Sequence, residues 1–281
     1  MTTMTTKTAT ATRRRARPSA LALGVRRTGL ELRQFFRDGM GVAFIFAFPV
    51  VMLMIFGSVF KDNDIGEGVT FLEYFLPGIL ATGILLSSFQ NLALAIADER
   101  DVGLLKRLRG TPMPPSAYLI GKIGQVLVTG LVQTALTLGV AALMFGVDLP
   151  SEPSKWLTFA WVYLLGTAAG CVLGVGVSTL PKSGSEANAI VTPVVIVLQF
   201  ISGVYFVFAN LPEWMQSVAS VFPLKWMAQG MRSVFLPEGA AVAEASGSWQ
   251  LGWVALVLGV WVAVGVALCL KTFRWTRRDA G

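Results

Sequence analysis

The residue types that could do chemistry in this chain are few, and their spacing argues against catalysis. None of the 281 residues is histidine, which removes imidazole acid–base chemistry, imidazole metal ligands and Ser-His or Cys-His nucleophilic pairs together. Cys171 and Cys269 stand inside apolar stretches without the short spacing of a metal motif, and a thiol in that setting packs as a small hydrophobe. No G-x-x-x-x-G-K-[ST] phosphate loop occurs; Gly121-Lys122 and Pro181-Lys182-Ser183-Gly184 lack its spacing and its strand-to-helix setting. The middles of the long apolar runs hold no Asp, Glu, Lys or Arg, whereas Glu73 and Lys122 fall near run ends, from which a side chain can snorkel to the interface. What the runs retain is neutral: Gln90, Asn91, Gln125, Gln133 and Gln199.

One polar stretch is dense with information, Asp98-Glu99-Arg100-Asp101-Val102-Gly103-Leu104-Leu105-Lys106-Arg107-Leu108-Arg109-Gly110-Thr111-Pro112. Asp98, Glu99 and Asp101 suit a helix N-terminus, and Gly110 to Pro112 would stop that helix. Leu104, Leu105 and Leu108 then form an apolar ridge while Lys106, Arg107 and Arg109 stay wet. A short amphipathic helix on a tight loop suits docking into a groove of another protein; a topology anchor is the other use of such a basic loop.

The elements that carry this loop follow from composition. The chain is 54% hydrophobic and 14% charged, against roughly 25% charged in soluble domains. Part of its solvent must therefore be lipid. A span needs about 20 mostly apolar residues, and six stretches qualify: 41–60, 71–97, 117–145, 156–180, 189–208 and 249–270. The expected fold is all-α, a polytopic membrane protein in which Pro49, Pro77 and Pro193 mark helix starts or kinks. Of the 23 Lys and Arg residues, 19 fall on the N-terminal side of this alternation and 4 on the other. That bias places both termini in the cytoplasm and the chain in the plasma (inner) membrane. It also explains the net charge of +7 without a nucleic-acid partner.

Residues 1–19 read as a disordered basic tail and 20–40 as an amphipathic helix. In that helix Leu21, Val25, Leu32 and Phe36 share one face, and Arg26, Arg33 and Arg37 another. Such a helix lies on the membrane surface with its guanidinium groups toward anionic headgroups. Residues 41–272 form the transmembrane domain, with the polar loop at 98–116, and 273–281 form a cytoplasmic tail. Between spans five and six, 209–237 is apolar on several faces but cut by Pro212 and Pro223 into pieces too short to span, which predicts paired re-entrant or interfacial helices on the outer side.

Glu99-Arg100-x-x-Gly103-x-Leu105-x-x-Leu108-x-x-Thr111-Pro112 resembles the signature loop of ABC-2 type transporter permeases, including the daunorubicin-resistance-like exporters. The outer residues Leu211, Pro212, Trp214, Pro223, Leu224 and Arg232 resemble a second, weaker pattern of that family, although Phe222 stands where an Asn is common. The resemblance implies a permease subunit that moves a hydrophobic or amphipathic cargo outward. It also implies a pair of permease copies or paralogues, each bound to a cytoplasmic ABC ATPase that supplies ATP and Mg, with no cofactor in this chain. Glu99, Arg100, Gly103, Leu104, Leu105, Lys106, Arg107, Leu108, Thr111 and Pro112 would form the coupling element, and Arg26, Arg33, Phe36 and Arg37 would belong to the connecting helix. Gln90, Gln133, Gln199, Phe200 and Phe206 are candidates for the cargo path, with helix packing as the alternative use of such side chains. The competing class is a stand-alone secondary transporter or channel, against which stands the lack of intramembrane charge. Without histidine or paired carboxylates in the spans, an intramembrane enzyme is excluded.

Overall fold

The computed structural model describes residues 19–60, 64–65 and 68–272; the two expected tails, apart from Ser19, lie outside the described residues. It is a helical bundle. The chain runs α1 (Ala20–Arg37), α2 (Gly39–Val59), α3 (Phe71–Leu85), a wide π turn (Leu86–Gln90), α4 (Asn91–Asp101), α5 (Leu104–Arg109), α6 (Pro115–Phe145), α7 (Pro153–Val177), α8 (Gly184–Ile201), α9 (Glu213–Val221), α10 (Pro223–Phe235) and α11 (Leu251–Thr272). Six stretches are long and apolar enough to cross a membrane: α2, the α3–α4 run, α6, α7, α8 and α11.

Local signals set the helix ends. Ser19 accepts from the Ala22 amide, Thr70 and Glu73 form a reciprocal capping box, and Pro115, Pro153 and Pro223 occupy first helical positions, where a missing N–H costs nothing. Asp38 closes α1 and caps α2 through the Gly41 amide, so the two helices meet at one residue. Pro49, Pro77 and Pro193 lie inside α2, α3 and α8.

The core sits where α3, α7 and α10 converge, α10 packing on α3, α7 and α11 and burying every residue from Pro223 to Val234. Its hairpin partner α9 meets it at Phe222, whose ring stacks on Trp261. Trp261 stands ten residues into α11, about 15 Å along that helix, so the tip of the hairpin lies level with the middle of α11. At the far end of the hairpin the guanidinium of Arg232, fully buried, holds Glu244 at 2.6 Å, donates to the Gly203 carbonyl and covers the Tyr74 ring.

Two expectations about the spans need correction. Span five is α8, Gly184–Ile201, rather than 189–208. The chain turns at Gly203 (φ +72°), which puts Phe206 and Phe208 in the connection beyond it. Span two is not one regular helix, because the π turn interrupts it at 86–90. The cause lies in packing: a Cβ on Gly170 would sit 1.9 Å from Ser88 Oγ, and one on Gly174 would sit 2.8 Å from the Phe89 carbonyl oxygen. The glycines of α7 thus let the bulged backbone press directly onto that helix.

Candidate functional site

The polar loop is built differently from its sequence expectation. Asp98, Glu99, Arg100 and Asp101 form the last turn of α4, not the first turn of a new helix. Gly103, at φ +74°, takes the left-handed conformation that a side-chain-bearing residue adopts at a cost. It breaks the run, and only Leu104–Arg109 winds again, as α5. The leucine ridge is divided as well. Leu105 is fully buried against Leu92, Ile96 and Tyr118, Leu104 and Leu108 are half-buried, and Lys106, Arg107 and Arg109 are exposed. Leu105 therefore anchors the loop to the bundle.

Consecutive residues at the end of α4 reach three different helices. Glu99 Oε1 lies 2.5 Å from Lys122 Nζ in α6, and its Oε2 accepts from the Tyr118 hydroxyl at 2.7 Å. Arg100 Nη1 donates at 2.5 Å to the Ser178 carbonyl, which closes α7. Asp98 stands at the start of α8, where a Cβ added to Gly184 would come within 2.8 Å of its Oδ1; a carboxylate there is favoured by the helix dipole.

Lys122 continues the chain of contacts. Its ammonium also lies 2.8 Å from Glu31 Oε2 of α1, and Glu31 Oε1 accepts from Arg27 Nε at 2.7 Å. Lys122 and Glu31 are each 3% exposed. The expectation that Lys122 snorkels to the interface is thus overturned: two carboxylates satisfy it inside the protein, which is what a buried charge requires. Glu31 and its pairing with Lys122 were missed by sequence reasoning. The available signal was one carboxylate, four residues after Arg27, in an otherwise basic helix.

α1 lies along α6 with a third face, distinct from both faces read in the sequence. Gly24, Arg27, Thr28 and Glu31 turn toward α6, and Gly121 and Gly124 admit them: a Cβ at either glycine would fall 2.3 Å from Arg27 Cγ or Thr28 Oγ1. Arg26, Arg33 and Arg37 are exposed, as are Leu21, Val25 and Phe36.

Of the five residues considered for a cargo path, Phe200 and Phe206 lie 6.4 Å apart ring to ring, and Phe200 and Gln199 both meet Tyr205, whereas Gln90 and Gln133 find partners elsewhere. Gln90 donates to Thr192 Oγ1 of α8, Gln199 accepts from the Tyr205 hydroxyl, and Gln133 is buried against Gly83. Phe200 and Phe206 are about half exposed on the bundle surface. A cavity of about 260 Å³ instead opens between α1, α2, α4 and α6, directly beside the Glu31–Lys122–Glu99 cluster.

Six long apolar helices around a core of packed helices define a multi-pass membrane protein. The match of residues 28–236 to the ABC-2 type transporter family model covers most of the chain, and the chain belongs to that family, as the membrane subunit of a transporter. It is 21% identical over 193 residues to the inner membrane transport permease YadH of Escherichia coli, covering 67% of this chain and 74% of that protein. It is 24% identical over 236 residues to the daunorubicin resistance ABC transporter permease protein DrrB1 of Streptomyces coeruleorubidus, covering 80% and 77%. The putative transport permease YvfS of Bacillus subtilis is 23% identical over 194 residues, covering 69% and 77%. Family membership implies an ABC ATPase partner in general.

Proposed function

We propose that this chain forms the membrane pathway of an ATP-driven exporter. Both termini face the cytoplasm, and two permease copies or paralogues carry a hydrophobic or amphipathic cargo outward. ATP is hydrolysed with Mg on the separate ATPase, and α5 with its flanking residues, 98–116, is the element that docks there. The observation that carries this reading is the triple attachment of residues 98–100. A force applied to the exposed face of α5 (Lys106, Arg107, Arg109) passes through Glu99 to α6 and α1, through Arg100 to α7, and past Asp98 to α8. One short loop can thereby bias the arrangement of several spans, which is what alternating access driven from outside the membrane domain needs. The α9–α10 hairpin enters the outer leaflet and returns, and α1 rests on the inner surface with Leu21, Val25 and Phe36 in lipid and Arg26, Arg33 and Arg37 at anionic headgroups.

The test is affinity isolation of the full chain from gently solubilised membranes, followed by mass spectrometry and an ATPase assay. A stoichiometric cassette ATPase should co-purify with the chain. Lys106→Glu combined with Arg107→Glu, which leaves the buried Leu105 alone, should release it while the permease stays inserted. A clean chain that still transports without any ATPase would establish the lone-carrier reading instead.

A further inference from the structure

The sequence points to no cargo chemistry, but the cavity beside the charge cluster does. We propose that the space between α1, α2, α4 and α6 receives the cationic, ammonium-type headgroup of an amphipathic cargo; this rests on the permease reading above. Its volume of about 260 Å³ falls just short of the roughly 300–1,000 Å³ of sites that enclose a drug-sized ligand. It holds a headgroup, and leaves an apolar tail in the bilayer.

Exposure separates its mouth from its floor. Asp38 and Asp98 are exposed at the mouth, while Ser87, Glu31, Glu99 and Lys122 are buried below. The side-chain amides of Asn91 and Gln125 line the space and make no hydrogen bond to other described residues, so they are left to a guest or to water. The charge is lopsided: four carboxylates, Glu31, Asp38, Asp98 and Glu99, face the single ammonium of Lys122. Counting Arg27, which supports Glu31 from outside the cavity, carboxylates still exceed cations by two. Beside a low-dielectric membrane such a wall attracts a cation and repels a phosphate or carboxylate headgroup. Phe35 is also in the lining, and an aromatic ring is compatible with a cationic guest.

Position gives the site a second consequence. An ammonium that reaches Glu99 competes with Lys122 for the carboxylate that ties α4 to α6 and, through Glu31, to α1. Cargo and the docking loop then act on one linkage, and by reciprocity cargo occupancy alters the ATPase as the ATPase alters cargo affinity.

Tetraphenylphosphonium and tetraphenylborate, nearly equal in size and opposite in charge, provide the test. Equilibrium dialysis is run on the purified full chain with its co-purifying subunits in non-ionic detergent, with protein-free micelles subtracted. The phosphonium should be retained at least about tenfold more tightly than the borate, and Asp38→Asn with Asp98→Asn should cut that preference by up to about fivefold per site. Asn at 38 keeps the cap on α2, so a folded variant is expected. Equal retention of both ions, preference for the borate, or an unchanged preference in the double variant would overturn the proposal. Phosphonium retention by a chain that brings no ATPase would uphold the site and sink the ATP-driven reading, so the two failures are distinguishable.

Discussion

Buried charge appears at both ends of this bundle and is used in opposite ways. At the α9–α10 end, Arg232 pairs with Glu244, 12 residues away, and both are sealed at 0% and 1% side-chain exposure. At the α1 end, Lys122 pairs with Glu31 and Glu99, 91 and 23 residues away on different helices, and the cluster borders an open cavity. The first also takes in the Gly203 carbonyl and the Tyr74 ring of α3, and its side chains are closed to solvent. It behaves as a staple. The second joins elements that could otherwise separate and has polar space beside it for rearrangement, so it behaves as a joint. Equal chemistry thus gives rigidity or mobility according to whether open space adjoins it.

The largest expected effect falls on the staple. Arg232→Met leaves Glu244 buried without a cation and should destabilise the chain by about 3–5 kcal/mol, with most of the loss restored by Arg232→Met/Glu244→Leu; thermal unfolding in detergent measures both. If the single variant melts like the wild type, the Arg232–Glu244 pair is no staple. The same change at the joint, Lys122→Met, should cost less, about 1–3 kcal/mol, because water in the adjoining cavity can solvate the two carboxylates. Its main effect should appear elsewhere: the protein stays in the membrane, the complex hydrolyses ATP, and cargo moved per ATP falls, with Lys122→Arg recovering part. A proportional drop in both activities would reduce the joint to a second staple. Gly184→Ala should push Asp98 from the start of α8 and lose about 0.3–1 kcal/mol, readable as a small fall in melting temperature. Gln90→Leu, which removes one interhelical bond to Thr192, should cost about 0.6 kcal/mol and marks the scale of a single polar contact away from either cluster.

What could be read before the structure follows from the range over which each force acts. The six spans were legible because length and hydropathy are local properties, and Pro49, Pro77 and Pro193 did not obscure them. The loop at 98–112 was legible as a special place, but its architecture was not: Gly103 divides it, and the apparent outward ridge includes an anchor, Leu105, that faces the core. Lys122 was misjudged because its position near a run end suggests snorkelling, while its partners come from a helix 91 residues upstream and from the end of α4. Helical periodicity within α1 separated apolar from basic residues yet could not show that a third face, carrying Gly24, Arg27 and Glu31, would meet the glycines of α6. Amides such as Gln90 and Gln199 were ambiguous for a related reason. A buried amide needs a partner wherever it stands, and in the structure both find one within the bundle.

The wide turn at Leu86–Gln90 acts on α4 as a change of register. It takes up one residue more than an α-helical turn, and one residue is about 100° of rotation and 1.5 Å of rise. Were it to tighten to an ordinary turn with α3 held in place, every residue of α4 would move into its neighbour's seat. Asp98 would face Lys122 where Glu99 now does, one methylene short, and Glu99 would face the Ser178 carbonyl, an acceptor toward an acceptor. The pairing of Glu99, Arg100 and Asp98 with three different helices thus depends on five residues some fifteen ångströms away along the same span, in the way that the teeth of a gear mesh only at one phase.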